Sequence, residues 1–143
     1  MNKTGPIVVI EDDEDDQLLL MDVFKELDYH NEILFFGDGE QALDYLTHTP
    51  VQPFIIVSDI NMPRLNGMEL RKKINNNEEL RMKCIPYLFF TTGAEQQYVI
   101  DAYSHSVQGF FIKPAGYAQL REMIKMIVDY WQHCTSPNYN KHP

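Results

Sequence analysis

The chain alternates between short apolar runs and longer stretches with helical spacing. Ile7-Val8-Val9-Ile10 is the first run, and a helix is predicted from about Glu14, where Leu20, Val23, Phe24 and Leu27 fall on one face. A second strand over 32–36 closes on Gly37-Asp38-Gly39, a turn signal. The following helix carries Ala42, Leu43 and Leu46 and stops before Pro50. A third strand over 54–58 leads through Pro63 and Asn66-Gly67 into a helix with Leu70 and Ile74. That helix is expected to decay into a loop or frayed end over the polar run Asn75-Asn76-Asn77-Glu78-Glu79. A fourth strand over 87–90 precedes a helix from about Ala94 with Val99, Ile100 and Tyr103. A fifth strand over 110–112 precedes a last helix over about 116–133. Its Leu120, Met123, Ile124, Ile127, Val128 and Trp131 form an apolar stripe.

Five strands alternating with five helices predict an α/β fold, a doubly wound parallel sheet covered on both faces. The strand order 2-1-3-4-5 fits the right-handed crossovers, with its reversal point between strands one and three. Strands three, four and five are apolar nearly throughout and read as central and buried.

If the strands are parallel, their C-terminal ends share one rim, where open α/β sheets place their sites. The first strand ends in Glu11-Asp12-Asp13, the third in Asp59, the fourth in Thr91-Thr92 and the fifth in Lys113-Pro114. The rim then holds carboxylates, a hydroxyl and an ammonium, a set suited to a divalent cation and a phosphoryl group. Acids at a helix start ordinarily serve the helix dipole, and Glu14, Asp15 and Asp16 fit that role. Glu11 and Asp12 precede the helix instead. Adjacent carboxylates resist joint ionisation without a cation, and magnesium takes one or two carboxylates together with phosphate oxygens and waters. The run lacks the internal Gly and closing Glu of a calcium loop. A lone strand-end Asp is ordinarily a turn or cap residue. Asp59, however, precedes the sharp turn at Asn61-Met62-Pro63 and would point into the crevice, where a carboxylate can act as a nucleophile and form an aspartyl phosphate. Thr91 can donate to a phosphoryl oxygen. Lys113 can pair with Asp59 before phosphorylation and with the phosphoryl group afterwards.

Composition narrows the partners. The 143 residues, 44% hydrophobic, fit one domain over 1–134 followed by a polar, disordered tail over 135–143. A net charge of -9 opposes binding to nucleic acid or an anionic membrane. No stretch approaches the roughly 20 apolar residues of a membrane span. The six residues before the first strand are too short for a signal peptide. The two cysteines, Cys84 and Cys134, match no metal spacing and read as reduced thiols of a cytoplasmic protein.

With these residues in place, the chain from Ile7 to about Trp131 resembles the response-regulator receiver domains of two-component signalling, a flavodoxin-like fold. Within that family it is most similar to stand-alone receivers of the phytochrome-associated type, on its Thr91-Thr92 and on Trp131 near the end of the last helix. The resemblance implies that Glu11 and Asp12 are the magnesium-binding acidic pair and Asp59 the phosphoacceptor. It implies that Asn61 ligates the metal through its backbone carbonyl, and that Thr91 engages the phosphoryl group. Lys113-Pro114 matches the family's Lys-Pro, often cis, and Phe110 matches the aromatic position that changes rotamer on activation. Phe110 lacks the hydroxyl of the more common Tyr, so its two states can differ only by packing. Ser104-His105-Ser106 departs from the family's usual Ala-Gly pattern, and Gly93 offers no side chain to an attacking water.

The implied function is a phosphorylation-driven switch, not an enzyme acting on other molecules. A histidine kinase or phosphotransfer protein would supply the phosphoryl group. The readout, with no output domain following, would be a surface contact with a downstream protein or a second copy of the chain. Tyr98, Tyr103, Phe110 and Tyr117 are candidate contact residues around the fourth predicted helix, the fifth strand and the last helix. Three rivals share the fold. An interaction module without phosphorylation would not need the intact acidic pair, Asp59, Thr91 and Lys113. An aspartyl-phosphate phosphatase would want a second Asp where Asn61 stands. A flavin carrier would not place an acidic run where the cofactor phosphate binds.

Overall fold

The computed structural model describes residues 1–93 and 96–137. The described elements are, in chain order, β1 (Ile7–Ile10), α1 (Glu14–Leu27), β2 (Ile33–Phe36), α2 (Gly39–His48), β3 (Ile55–Ser58) and α3 (Gly67–Asn76). They continue with α4 (Glu78–Met82), β4 (Tyr87–Thr91), α5 (Gln96–Ser104), β5 (Gly109–Ile112) and α6 (Tyr117–His133). The sheet is parallel with the order β2-β1-β3-β4-β5, as the alternation predicts. Ile10 pairs with both Phe36 and Ser58, so the ends of β1, β2 and β3 are level.

The period-2 pattern of each strand feeds two cores. Val8, Ile10, Ile56, Tyr87 and Phe89 point to the side covered by α2, α3, α4 and α5, where Leu46, Leu70, Ile74, Leu80 and Ala102 meet them. Ile7, Val9, Ile55, Val57, Leu88 and Phe90 point to the other side, against Leu20, Val23 and Phe24 of α1 and Leu120, Ile124, Ile127 and Val128 of α6. Each fully buried aliphatic or aromatic side chain contributes about 1.5–3 kcal/mol. A two-sided core explains why β1, β3 and β4 have no exposed position.

Two expectations need correction. The polar run expected to be loop folds into the short α4. Asn77 caps it by accepting from the Leu80 N–H at 3.1 Å, with Glu78 and Glu79 in its first turn and Leu80 buried beneath it. The fifth strand, last in the expected order, is the sheet's edge and is not buried as its apolar run suggests: Ile112 is 52% exposed. The interior strands are β1, β3 and β4, since an apolar run alone does not distinguish a buried strand from an edge strand packed on one face. The expected start of the helix before β5, near Ala94, lies outside the described residues. The expected tail is described only to Pro137. Over that stretch Ser136 is buried and donates to the Met1 carbonyl at 2.9 Å. No helix among the described residues is long and apolar enough to cross a membrane.

Local sequence fixes the rim where the strands end. Asp13 caps α1, its carboxylate accepting from the Asp15 and Asp16 N–H groups. Asn66 and Glu69 form a reciprocal capping box at the start of α3. Gly67 follows Asn66 and donates its N–H to the Ile60 carbonyl at 2.8 Å. A Cβ there would collide with the Asp59 carbonyl and the Phe89 ring, so this position needs glycine to bring α3 close behind the end of β3.

Candidate phosphoacceptor site

The sheet ladder continues one residue past three strands and sets the backbone of the site. The Glu11 N–H donates to the Phe36 carbonyl at 2.9 Å, Asp59 N–H to Ile10 carbonyl at 2.9 Å, and Lys113 N–H to Thr91 carbonyl at 2.7 Å. Asp59 is only 9% exposed. One of its carboxylate oxygens accepts from the Ile60 N–H at 2.7 Å, which leaves the other facing Lys113.

Carboxylate oxygens of Glu11, Asp12 and Asp59 all lie within 4.8 Å of one another. Glu11 is buried, and its carboxylate also accepts from the Asp13 N–H at 3.0 Å. At an effective dielectric constant of about 20, two full charges at such a separation repel by roughly 3 kcal/mol. Burial, more than any other influence, pushes the Glu11 carboxyl up to about 7; the Asp59 charge adds to the rise, and the Lys113 hydrogen bond opposes it.

Lys113 answers this charge. Its ammonium donates to Glu11 at 2.5 Å, to Asp16 at 3.0 Å and to Asp59 at 3.3 Å, with the lysine side chain 8% exposed. Burial alone would lower its affinity for the proton. The Glu11 hydrogen bond and the Asp59 and Glu11 charges outweigh burial and move it upward, so the ammonium stays charged. The peptide bond before Pro114 is trans, not the cis form the resemblance allowed.

Of the residues singled out in the sequence, Glu11, Asp12, Asp59 and Lys113 therefore meet in one pocket. Thr91 is 3% exposed at the end of β4 and is joined to Lys113 through its carbonyl. Asn61 lies exposed in the loop after Asp59. Phe110 is half-buried on the opposite layer from Phe111; its ring packs against Phe89 at 5.9 Å between centroids. Tyr98, Tyr103 and Tyr117 are exposed, and the Tyr117 hydroxyl donates to Glu26 at 2.7 Å. Because of the added α4, the face they mark is that of α5, β5 and α6.

Asp16 was assigned to the helix dipole with Glu14 and Asp15, yet it joins the lysine cluster. The sequence carried a signal for it. Asp16 stands four residues before Leu20 and seven before Val23, on the stripe that α1 turns to the core. An acid on an apolar stripe calls for a buried partner.

A site of this kind, at the reversal point of a 2-1-3-4-5 parallel sheet, is a receiver site, and the comparisons agree. Residues 7–125 match the family of the response regulator receiver domain. The chain belongs to that family. A protein of Methanothrix harundinacea described as "Probable methanogenesis regulatory protein FilR2" is 31% identical over 87% of this chain and 82% of its own length. Response regulator Rcp1 of Synechocystis sp. is 28% identical over 91% of this chain and 90% of its own. The structure of the Mn(2+)-bound form of Rcp1 superposes with a TM-score of 0.80 at 27% identity, covering 94% of this chain and 99% of that one. The phosphorylated cyanobacterial phytochrome response regulator RcpA shares the fold, with a TM-score of 0.84 at 24% identity, covering 94% of this chain and 98% of its own.

Proposed function

We propose that the chain is a phosphorylation-driven signalling switch whose acceptor is Asp59. The observation that carries this reading is the second Asp59 oxygen, bonded at 3.3 Å by the Lys113 ammonium, in a pocket it shares with the Glu11 and Asp12 carboxylates. The donor is a sensor histidine kinase or a phosphotransfer protein, the partner kind of the receiver family, and the setting is the cytoplasm.

In the transfer, an Asp59 carboxylate oxygen attacks phosphorus and forms a new P–O bond. The bond from phosphorus to the donor atom breaks, and its electron pair leaves with the donor. Lys113 keeps its proton throughout and turns from the Asp59 oxygen toward the arriving phosphoryl group. The Thr91 hydroxyl donates to a phosphoryl oxygen. The donor set is all oxygen and strongly anionic, which fits a hard divalent cation. Held by Glu11, Asp12, Asp59 and the Asn61 backbone carbonyl, magnesium would supply positive charge against the phosphoryl oxygens. The chemistry is confined to the chain's own phosphorylation and dephosphorylation, so the protein is a signalling element and not an enzyme with an external substrate.

The readout is a shift between two arrangements of the α5, β5 and α6 face. Movement of Thr91 toward the phosphoryl group leaves room for Phe110 to repack. Tyr98, Ile100 and Tyr103 on α5, Ile112 on β5 and Met126 and Tyr130 on α6 are exposed large apolar groups on these elements. Such surfaces receive a downstream protein or a second copy of the chain. Size-exclusion chromatography with and without beryllofluoride separates those two outcomes.

Labelling by acetyl phosphate with magnesium tests the central reading. Wild type is expected to take up one phosphoryl group and Asp59→Ala none. Equal labelling of the two would remove Asp59 from the role.

A further inference from the structure

We propose that Asp16 is a positioning residue for Lys113, the carboxylate that holds the lysine ammonium while the other acids of the site are engaged in phosphoryl transfer. This rests on the reading of Asp59 as phosphoacceptor and deepens it.

An ammonium has three N–H donors, and the three acceptors at Lys113 are Glu11 at 2.5 Å, Asp16 at 3.0 Å and Asp59 at 3.3 Å. Two of those acceptors have other work in the reaction. Glu11 and Asp59 belong to the carboxylate triad with Asp12, and one Asp59 oxygen becomes the oxygen bonded to phosphorus. Asp16 belongs to neither set. It is the one partner that Lys113 can keep from the resting state to the phosphorylated state.

Asp16 is suited to that task by its place in the fold. It lies in the first turn of α1, and its own N–H is tied to the Asp13 carboxylate at 3.2 Å. It is therefore fixed to the helix that packs through Leu20 and Val23 onto the sheet. Asp16 and Lys113 also share the wall of a cleft of about 310 Å³ with Leu19, Thr92 and Pro114, open to solvent beside the site. Lysine loses considerable rotamer freedom when it is held in one place. A fixed anchor reduces what must be ordered during the transfer and keeps the ammonium from collapsing onto the triad.

An acid that served only the α1 dipole would affect folding and leave the chemistry alone. The test is the maximal rate of acetyl phosphate labelling at saturating magnesium, together with the half-saturating magnesium concentration. Asp16→Asn is expected to slow the maximal rate about 10-fold, with less than about a threefold change in half-saturation for magnesium. Asp16→Glu should recover most of the rate. In a double-mutant cycle, Lys113→Ala and the pair Asp16→Asn/Lys113→Ala should label at the same residual rate, because Asp16 acts through the lysine. A second readout does not use turnover. In the beryllofluoride-bound protein, a slowly exchanging Lys113 ammonium resonance is expected in wild type and should be lost in Asp16→Asn.

A wild-type rate in Asp16→Asn, or additive losses in the double variant, would overturn the proposal while leaving Asp59 as acceptor. A wild type that takes no label, or an Asp59→Ala variant that labels equally, would overturn the acceptor reading itself and this inference with it.

Discussion

The two ends of the sheet bury charge in opposite ways. At the C-terminal end, Glu11, Asp16 and Asp59 surround a single ammonium, with Asp12 beside them. At the N-terminal end a single guanidinium, Arg71, is buried with no carboxylate within ion-pair distance among the described residues. Arg71 is instead held by dipoles. Its Nε donates to the His105 carbonyl at 3.1 Å, its Nη2 to the Ser106 carbonyl at 2.6 Å, and its guanidinium lies 5.4 Å from the centre of the Tyr87 ring. Those bonds tie α3 to the turn before β5, where Ser106 adopts a left-handed conformation. One end is a finished structural joint. The other carries an excess of negative charge that the chain alone does not neutralise, the usual condition of a site built to receive something.

The difference predicts opposite signs for mutation. Arg71→Ala should produce the largest loss of stability, about 2–4 kcal/mol, because it leaves two carbonyls without their donor and opens a cavity. Chemical denaturation measures this. Acetyl phosphate labelling of the folded variant should persist. Loss of labelling with unchanged stability would erase the distinction between the two ends.

Glu11→Gln should do the reverse and stabilise the cation-free protein. Folded Glu11 keeps its proton up to about pH 7, against 4.5 for an ordinary glutamate. The stability linked to that proton is therefore fully present below about pH 4.5 and is lost as pH rises through about 7. At pH 8 the variant should gain on the order of 1–3 kcal/mol over wild type, and the gain should vanish near pH 4. The same proton must leave before Glu11 can bind a cation. Magnesium affinity measured by calorimetry should strengthen from pH 6 to pH 8, with uptake releasing protons. A pH-independent affinity would show that Glu11 is already ionised and that repulsion at this end is weaker than the geometry implies.

Tyr117→Phe sets the lower bound. The hydroxyl it removes bonds Glu26 across the surface between α6 and α1 and takes part in neither buried cluster. The denaturation midpoint and the labelling rate should both stay at wild-type values. A change in labelling alone would extend the site to the start of α6.

Much of this was readable in the residue order. Short continuous apolar runs marked the strands and a period of about 3.6 the major helices, and Glu11, Asp12, Asp59, Thr91 and Lys113 stood at the ends of apolar runs. The short α4 was missed because three consecutive asparagines read as loop, although Asn77 before two glutamates is also a helix start. The expected strand order already put β5 at the edge; its exposure was missed because Phe110, Phe111 and Ile112 are as apolar as an interior strand. Arg71 gave no sign of burial, since a lone arginine on a helix is ordinarily solvated and its acceptors lie 34 and 35 residues away.

The local pattern of side chains was enough to define the layers of this fold and the chemistry gathered at its rim, because both depend on short-range periodicity and on where apolar runs stop. Which charges share the Lys113 ammonium was a matter of three-dimensional packing. The lysine meets Glu11 across 102 positions of chain, Asp16 across 97 and Asp59 across 54. Those partners are chosen by the sheet register and by the angle at which α1 lies on the sheet, properties that no window of neighbouring residues contains.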